Sequence, residues 1–390
     1  MKAKNLLLMA TMLLSGLSGF AQTSNKCGDN LYWSYDSSTK QLIITGTGDM
    51  YNYLSAFDSP WESNYQNITS LSLPDGITSI GDYAFCYCKI TSLTIPESIT
   101  SIGRNAFLYC SSLTTVNFNA INCTNMSVGG ILGTPFDYCG ALSTLNIGDK
   151  VKNIPIYAFY QCASITSLTI GNSVTSIGGQ AFQYCTGITS LTIPNSVTKI
   201  GSSAFQGCSG LISLTIGNSV TLIDDYAFDS CSGLTSLTIP KSVTLIGEGA
   251  FSSSTFTQIT SNPTTPPTIY KYTFANATKD IPVKIPCDHV NDYKTAQYWE
   301  DFTNYQCIST GIKENKIQKF QIYPNPAKDE IFIRSASHVK KVEIYSLAGA
   351  LRLTDNNFSG KISIASLSQG VYMVKVFTDT GLVVSKVVKE

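Results

Sequence analysis

The stretch that decides the fold is "ITSLTIPNSVTKIGSSAFQGCSGL", residues Ile188–Leu211, because nearly the same letters follow directly. The next stretch, Ile212–Leu234, is "ISLTIGNSVTLIDDYAFDSCSGL". Both contain a Leu-Thr-Ile triplet, a Ser-Val-Thr segment and an Ala-Phe-x-x-Cys segment in the same order. A repeat of this length is typical of a solenoid, in which each coil packs on the coil before it.

One phenylalanine marks each coil and measures the period. The steps between successive markers are 22 and 29 residues and then 23 residues at every later coil. The markers are Phe85, Phe107, Phe136, Phe159, Phe182, Phe205, Phe228 and Phe251. We therefore expect about eight coils of about 23 residues that share one continuous core, since a single coil cannot bury its own apolar face. The long step predicts an inserted loop between Asn119 and Gly133.

The pattern inside one coil predicts two short strands. The Leu-Thr-Ile triplet alternates apolar and polar residues, as a strand with one buried face does. The Ser-Val-Thr-x-Ile segment is rich in β-branched residues and is interpreted as a second strand. The Ala-Phe-x-x-Cys segment has i, i+3 spacing and predicts a short helical turn. The fold class is therefore mainly β.

These repeats resemble the BspA-like, or Treponema-type, leucine-rich repeat. The resemblance is carried by stretches such as "LTSLTIPKSVTLIGEGAFSSS", Leu234–Ser254, and covers residues 67–260. It implies a right-handed leucine-rich-repeat solenoid of the kind found on cell-surface proteins, several of which are adhesins. Ser254 stands where the pattern has cysteine, which is typical of an atypical last coil.

The first residues have the features of a secretory signal. Lys2 and Lys4 precede an apolar segment from Leu6 to Leu14, and small residues end at Ala21. We expect a signal peptide over residues 1–21, cleaved between Ala21 and Gln22. No later stretch has the ~20 apolar residues of a transmembrane helix.

Two segments are expected to cover the ends of the solenoid, because raw coil ends expose apolar surface. Residues 22–66 resemble the N-terminal cap of BspA-like proteins and contain two alternating strands. Residues 261–310 are interpreted as a C-terminal cap, with a short helix that carries Tyr293 and Trp299. Prolines between 263 and 267 are expected to end the regular stack, since proline donates no ladder hydrogen bond. Residues 311–316 are interpreted as a linker.

The last segment, 317–390, has a different composition and predicts about seven short strands in a small Ig-like β-sandwich. It resembles the type IX secretion C-terminal sorting domain. The resemblance rests on Tyr323-Pro324-Asn325-Pro326, on a strand motif that ends at Gly349, and on "LSQGVYMVKV" around Gly370. It implies recognition by the type IX secretion machinery, followed by location at the surface of the outer membrane or release.

Nine of the 12 cysteines fall into two groups, and Cys27, Cys86 and Cys123 are not assigned to either. Seven follow the marker phenylalanines by three residues and are interpreted as a ladder of buried thiols. A metal site is disfavoured because paired Cys-x-x-Cys or histidine spacing is missing. Disulfides between coils are disfavoured because equivalent side chains point in parallel. Cys287 and Cys307, both in the C-terminal cap, are predicted to form a disulfide.

Composition and motifs argue against several functions. Lys+Arg and Asp+Glu both number 26, and charged residues make up only 13%, so no basic nucleic-acid surface is indicated. His289 is the only histidine before the sorting domain, and no catalytic motif accompanies it. Asp224-Asp225 is interpreted as a solvated turn, with calcium binding as the alternative. We expect neither an enzyme nor a cofactor.

Two surface stripes are candidates for binding. One consists of tyrosines two residues after the marker phenylalanine: Tyr87, Tyr109, Tyr138 and Tyr184. The other consists of threonines at the outward position of the first strand: Thr94, Thr169, Thr192, Thr215 and Thr238. The functional interpretation is recognition of a protein or glycan, and the alternative is that both stripes only favour local packing. The tyrosine stripe stops at Gly207 and Ser230, so the fold does not require it.

The sequence as a whole predicts a non-catalytic surface or secreted recognition protein. By analogy with the family, the leading hypothesis is an adhesin for a protein or glycan of a host or a neighbouring cell, although a shared fold does not itself assign a function. Glycan capture for nutrient uptake and a structural surface-layer role are the alternatives.

Overall fold

The structure is a computed structural model. It describes residues 25–126, 133–308, 321–335, 338–347, 349–379 and 381–390. The chain forms two compact units, one up to Ile308 and one from Ser309 onward. The signal peptide predicted at 1–21, its cleavage point at Ala21 and Gln22, and the linker predicted at 311–316 lie outside the described residues.

Most coils of the first unit contribute one strand to a front sheet and one strand, usually shorter, to a back sheet. In the coil at Ser190–Thr192, the Leu191 side chain is buried and its two neighbours are exposed. The back strand of the same coil, Lys199–Ile200, buries Ile200 and exposes Lys199. The alternation therefore points one side of each strand into a core between the two sheets, as the sequence predicts.

The front sheet consists of short parallel strands in register. Its strands are Ser70–Ser72, Ser92–Ile95, Thr115–Phe118, Thr144–Ile147, Ser167–Thr169, Ser190–Thr192, Ser213–Thr215, Ser236–Ile239, Gln258–Ser261, Pro282–Pro286 and Asn304–Ile308. Leu191 pairs with Leu214 and Leu237 with Ile259 in adjacent coils. Equivalent residues of successive coils thus form rows along the solenoid.

The back sheet has two groups of parallel strands, and the first group ends with a strand inside the loop predicted at Asn119–Gly133, of which residues 127–132 lie outside the described residues. The first group is Gly48–Asp49, Ile77–Ile80, Ser101–Ile102 and Asn125–Met126. The second group is Asn153–Ile154, Ser176–Ile177, Lys199–Ile200, Leu222–Ile223 and Leu245–Ile246. The N-terminal cap adds an antiparallel hairpin of Leu31–Asp36 and Gln41–Gly46, and a 3-10 helix, Glu62–Asn67.

The third side of each coil, which we call the turn edge, is the segment around the marker phenylalanine. The prediction of a helical turn there was wrong. The N–H of Cys86 donates to Tyr83 O and that of Cys88 to Phe85 O, at 3.4 and 3.3 Å, as in consecutive tight turns. Tyr83 and Tyr87 have left-handed φ angles of 56° and 59°. This alternation aims the Phe85 N–H along the stack, where it donates to Ala106 O of the next coil at 2.7 Å.

A ladder of stacked aromatic rings forms the centre of the core. Phe182, Phe205 and Phe228 are fully buried, and their neighbouring ring centroids lie 5.1 and 5.3 Å apart. The ladder also includes two rings that the marker pattern missed. Trp61 stacks on Phe85 at 5.3 Å, and Phe274 stacks on Phe251 at 5.8 Å. The solenoid therefore has about ten turns.

The prediction that the prolines end the regular stack was wrong. The front sheet continues past them through Pro282–Pro286 and Asn304–Ile308, which pair in parallel. The prolines lie in the connection before Pro282–Pro286, where the chain needs no ladder donor. Their carbonyl groups are used instead: Pro263 O accepts from the buried Tyr293 hydroxyl at 2.9 Å, and Pro267 O from Trp299 Nε1 at 2.8 Å. Tyr293 lies on the helix Val290–Thr295, which a 3-10 helix, Cys287–His289, precedes.

The repeat cysteines are buried free thiols that donate hydrogen bonds along the stack. Cys208 Sγ donates to Phe182 O at 3.3 Å, and Cys231 Sγ donates to Phe205 O at the same distance. In the last marker coil, the Ser254 hydroxyl donates to Cys231 O at 3.3 Å. Cysteine fits this buried position because it is small and apolar and its thiol is a weak donor. Without it, the carbonyl group of a core phenylalanine would lose one hydrogen bond.

Cys287 and Cys307 are exposed thiols that lie beside each other. A hydrogen bond between them raises the pKa of the Cys287 thiol. Cys307 lies in Asn304–Ile308, the last strand of the front sheet, and Cys287 directly follows the strand beside it. The disulfide between them stays a prediction, and this geometry brings the two residues together.

We expect this disulfide to form in the secreted protein and to add about 3 kcal/mol to the free energy of unfolding, since it closes a loop of roughly 20 residues. Native alkylation followed by mass spectrometry checks it. These two thiols should gain two labels only after mild reduction, while the buried thiols stay unlabelled in both cases. Labelling of Cys287 and Cys307 before reduction would contradict the prediction.

The second unit is a β-sandwich of two antiparallel sheets. One sheet contains Gln321–Tyr323, Glu330–Arg334 and Lys361–Ser363, and the other contains Val339–Ser346, Leu351–Asp355, Gly370–Thr378 and Gly381–Lys389. Buried aliphatic residues such as Ile331, Ile344 and Val374 fill the space between the sheets. The architecture agrees with the small β-sandwich expected from the alternating segments.

Candidate recognition surface

The four predicted tyrosines all occupy the same backbone position on the turn edge. Their φ angles are left-handed, between 58° and 62°. The residues are Tyr87, Tyr109, Tyr138 and Tyr184. Each follows a buried marker phenylalanine by two residues, so the left-handed turn directs the tyrosine away from the core. Non-glycine residues adopt this left-handed conformation at an energetic cost, and the packing of the coils must offset that cost.

Three of these tyrosines form a continuous stack on the surface. The Tyr87 and Tyr109 ring centroids lie 5.1 Å apart with an 8° angle between the ring planes. Tyr109 and Tyr138 follow at 4.6 Å and 15°. Burial, and next the neighbouring Tyr109, raise the pKa of Tyr87, so its phenol stays neutral at physiological pH. The rings are spaced at the repeat distance of the coils and are therefore held in a rigid row.

The N-terminal cap extends this stack with two residues outside the predicted tyrosine pattern. Phe57 stacks on Tyr87 at 6.0 Å and 10°, and Tyr65 contacts both rings at centroid distances of 6.3 and 6.0 Å. The sequence contains a signal for Phe57, since Ala56-Phe57 is another Ala-Phe pair like those of the coils. We call Phe57, Tyr65, Tyr87, Tyr109 and Tyr138 the aromatic stripe.

Tyr184 does not belong to the stripe, although the sequence pattern groups it there. In the coil between Tyr138 and Tyr184, the equivalent position is Gln161. The Tyr184 ring instead meets Tyr160 edge-on at 6.0 Å. It also lies across Gly207 of the next coil, where a Cβ would overlap the ring. The structure therefore separates the predicted row into a stack of three tyrosines and one isolated tyrosine.

The predicted threonine stripe lies on the outer face of the front sheet. Thr94, Thr169, Thr192, Thr215 and Thr238 are all exposed. Thr192 pairs with Thr215, and between Thr94 and Thr169 the row is filled by Asn117 and Asn146. An Asn146 Nδ2 to Asn117 Oδ1 hydrogen bond of 2.9 Å links the two amides. This face is neutral and rich in hydroxyl and amide groups.

A groove of about 950 Å³ crosses one end of this face. Ser70, Ser92 and Thr94 line it, together with the carboxylates of Asp75 and Glu97. Glu97 is engaged in an ion pair with Lys150 at 2.8 Å. Among the described residues the Asp75 carboxylate has no partner, so the groove offers hydroxyl groups and one carboxylate, a composition suited to a polar ligand.

The residues weighed for catalysis do not form a catalytic arrangement. His289 Nδ1 bonds Asp292 Oδ2 at 2.8 Å on an exposed cap helix, and within the described residues no hydroxyl nucleophile bonds the ring. A triad needs that third group. Asp137 has a pKa raised by burial, but its carboxylate accepts from Thr134 next to a tight turn. No group of three metal-ligating side chains occurs in the part of the chain that the structure describes.

Asp224 and Asp225 stabilise a turn. Asp225 Oδ1 accepts the Glu248 N–H of the next coil at 2.8 Å, and Asp224 forms an ion pair with Lys199 at 3.2 Å. Equivalent contacts recur at other coils, for example from the Arg104 N–H to Asp82 at 2.7 Å. The two carboxylates therefore bridge coils, which agrees with the turn interpretation.

Asn325 of the predicted sorting motif lies beside the strand Gly381–Lys389. Asn325 Oδ1 accepts the Val388 N–H at 2.8 Å, and its Nδ2 donates to Lys386 O at 3.0 Å. Its neighbours are Pro324 and Pro326, and Tyr323 stacks on Phe332 at 5.7 Å. The motif asparagine therefore occupies part of the free edge of Gly381–Lys389.

The two motif glycines lie at turns of the sandwich. Gly349 has a left-handed φ of 81° in the turn after Val339–Ser346, where its N–H donates to Ser346 O at 2.9 Å. Gly370, with φ 150°, begins the strand Gly370–Thr378. A side chain is disfavoured at such angles, which explains glycine at Gly349 most directly.

A parallel-stranded solenoid with a hydrogen-bonded turn edge and an aromatic core ladder defines a leucine-rich-repeat protein. Comparison with known families agrees. The family described as BspA type Leucine rich repeat region matches residues 63–165, 152–281 and 201–323, with six copies of the repeat. The chain belongs to this BspA-type leucine-rich-repeat family. A family described as Secretion system C-terminal sorting domain matches residues 321–390.

Comparison with solved structures finds bacterial leucine-rich-repeat proteins at low identity. A leucine-rich-repeat protein of T. pallidum is 20% identical, with 59% of this chain and 88% of that chain covered and a TM-score of 0.36. A cell-surface protein of Faecalibacterium prausnitzii A2-165 is 21% identical, with coverage of 76% and 96% and a TM-score of 0.30. No curated protein matches the chain.

The sorting domain defines the route and destination of the protein. It is recognised by the type IX secretion machinery, so the chain is exported to the surface of the outer membrane or to the extracellular space. Among the described residues, no helix has the length and apolar character needed to cross a membrane. The protein is thus a surface leucine-rich-repeat protein, and its family is consistent with a non-catalytic recognition role.

Proposed function

We propose that this protein is a non-catalytic adhesin that binds an extracellular protein or glycan through the aromatic stripe. One observation carries the proposal. Gln161, Gly207 and Ser230 occupy the tyrosine position in other coils with the same left-handed backbone, at φ 58°, 74° and 58°. The turn edge therefore forms without a ring, and a row of exposed tyrosines is not a requirement of the fold.

The geometry of the stripe suits recognition. Tyrosine offers a large contact area with few rotatable bonds and a polar hydroxyl group, which is why it is enriched at binding surfaces. Stacking holds Tyr87 and Tyr109 before a partner arrives, so little side-chain entropy is lost on binding. Because the chain carries equal numbers of acidic and basic residues, affinity should depend only weakly on salt.

Replacing Tyr87, Tyr109 and Tyr138 together by glutamine is expected to weaken ligand binding at least tenfold, since buried tyrosine contacts dominate many interfaces. Glutamine is chosen because Gln161 shows that this backbone position accepts it. The full chain would be screened against immobilised matrix proteins, mucins and an oligosaccharide array, and affinities of the hits would be measured.

Tyr226→Ser is the matched control. Tyr226 is exposed and left-handed on another coil, and Ser203 holds the equivalent position one coil earlier. The control should bind like the unchanged protein. Equal affinity of the triple variant and the control would overturn the aromatic stripe as the binding surface. Self-association without any foreign ligand would favour the surface-layer alternative.

A further inference from the structure

Tyr138 differs from the other rings of the aromatic stripe because it is the last one. Tyr109 lies between two rings and is 39% exposed, whereas Tyr138 is 69% exposed. One face of the Tyr138 ring covers Tyr109. In the described residues no aromatic ring contacts its other face, because the next coil has Gln161 at the equivalent position. Tyr138 therefore presents a flat aromatic face along the direction of the stack.

The hydrogen bonding of the turn edge is interrupted at the same place. The Tyr109 N–H donates to Asp137 O at 3.0 Å, and the Gln161 N–H donates to Gln183 O at 2.8 Å. Between these two coils, the N–H of Tyr138 and the carbonyl group of Tyr160 have no partner in the part of the chain that the structure describes. The two groups of back-sheet strands also separate here. The coil boundary beside Tyr138 thus lacks the turn-edge hydrogen bond that the boundaries on either side of it form.

The groups around this boundary are polar and neutral. Gln161 is exposed, and its Nε2 donates to the Tyr160 hydroxyl at 3.2 Å. The Gln161 amide oxygen and its second N–H are left for other partners, since an amide has one acceptor and two donors. The nearest acidic residue in the chain is Asp137, whose carboxylate bonds Thr134. The carboxylate nearest to the ring in sequence is thus engaged.

We propose that the open face of Tyr138 is the platform of a glycan subsite and takes one neutral pyranose ring. A pyranose has a flat C–H surface that packs on an aromatic face and a rim of hydroxyl groups that needs amide and backbone partners. Tyr138 supplies the aromatic face, and Gln161 with the open coil boundary supplies the amide and backbone partners. A cationic side chain would also pack on the ring, but the Asp137 carboxylate next to it in sequence is already engaged by Thr134. This inference rests on the proposed recognition function and names the ligand class.

The test is Gln161→Tyr in the full chain, a change that adds an aromatic ring. The new tyrosine would stack on Tyr138 as Tyr138 stacks on Tyr109, and it would cover the open face. Binding of neutral oligosaccharides on a printed array should fall at least tenfold. Saturation-transfer NMR with the best-bound oligosaccharide should lose its signal. Tyr138→Gln should give the same loss, whereas Tyr226→Ser should bind normally, and thermal melting should show that all three variants are folded.

The outcomes separate this subsite from the proposed function. Sugar binding that survives Gln161→Tyr would overturn the subsite, because a ligand that uses only the edges of the rings would tolerate an added ring. An unchanged protein that binds no neutral oligosaccharide would also overturn it. If a protein ligand is then lost in the triple glutamine variant, the proposed function stands without the glycan subsite.

Discussion

Replacing Phe205 by alanine is expected to lower the free energy of unfolding by about 3–5 kcal/mol, the range for removing a fully buried aromatic side chain. Phe205 is fully buried and lies between Phe182 and Phe228, with ring centroids 5.1 and 5.3 Å away. The loss includes two stacking contacts and leaves a cavity that the neighbouring coils cannot fill by moving alone. Urea unfolding followed by circular dichroism measures the change.

Phe57→Ala is the control for this prediction. Phe57 lies on the aromatic stripe and is 53% exposed. Its replacement by alanine is expected to lower the free energy of unfolding by less than about 1 kcal/mol. The effect of Phe205→Ala should exceed it severalfold. A loss of only about 1 kcal/mol at Phe205 would mean that the ring ladder is not the main stabilising element of the solenoid.

Raising the pH above 9 is expected to destabilise the protein by several kcal/mol. Burial raises the pKa of Cys27, Cys86 and Cys208 from 9.0 to about 12. The folded state therefore holds these thiol protons more tightly than the unfolded state. Their contribution is complete below pH 9 and is lost as the pH rises toward 12. In that window each of these thiols lowers the free energy of unfolding by about 1.4 kcal/mol per pH unit. The three together therefore lower it by about 4 kcal/mol at pH 10.

Unfolding titrations between pH 7 and 12, with reductant present, check this. The Cys208→Ser variant should unfold at a higher pH than the unchanged protein, because a serine hydroxyl does not titrate there. Serine also keeps a donor for Phe182 O, which Cys208 bonds at 3.3 Å. An alkaline midpoint that is identical in the two proteins would contradict the role of the buried thiols.

Much of the fold follows from the period of the sequence, because one coil sets the environment of the next. The Leu-Thr-Ile strands and the marker phenylalanines lie where the spacing places them. The period also reaches Phe274, 23 residues after Phe251, but Thr273 replaces the usual alanine and hid it. The helical turn was mispredicted because i, i+3 spacing describes only contacts within one coil. The Phe85 N–H donates instead to Ala106 O in the next coil.

The candidate site was less accessible to sequence reasoning, because it depends on contacts between coils and with the cap. The row of tyrosines and its interruption at Gln161 are visible in the sequence, but the contacts of Tyr184 with Tyr160 and Gly207 are not. Phe57 joins the stripe only through the fold of the N-terminal cap. The open coil boundary beside Tyr138 depends on the hydrogen bonds that neighbouring coils do or do not form, which no local pattern encodes.

The most direct test of the recognition surface is hydroxyl-radical footprinting of the full chain with and without its best-bound ligand from the screen. Tyr109 and Tyr138 are expected to become protected from oxidation when the ligand is bound. Tyr226 and Tyr270, which are 43% and 40% exposed on other parts of the unit, should react equally in both states. Protection confined to the front-sheet face, with Tyr109 and Tyr138 unchanged, would contradict the aromatic stripe as the place where this protein binds.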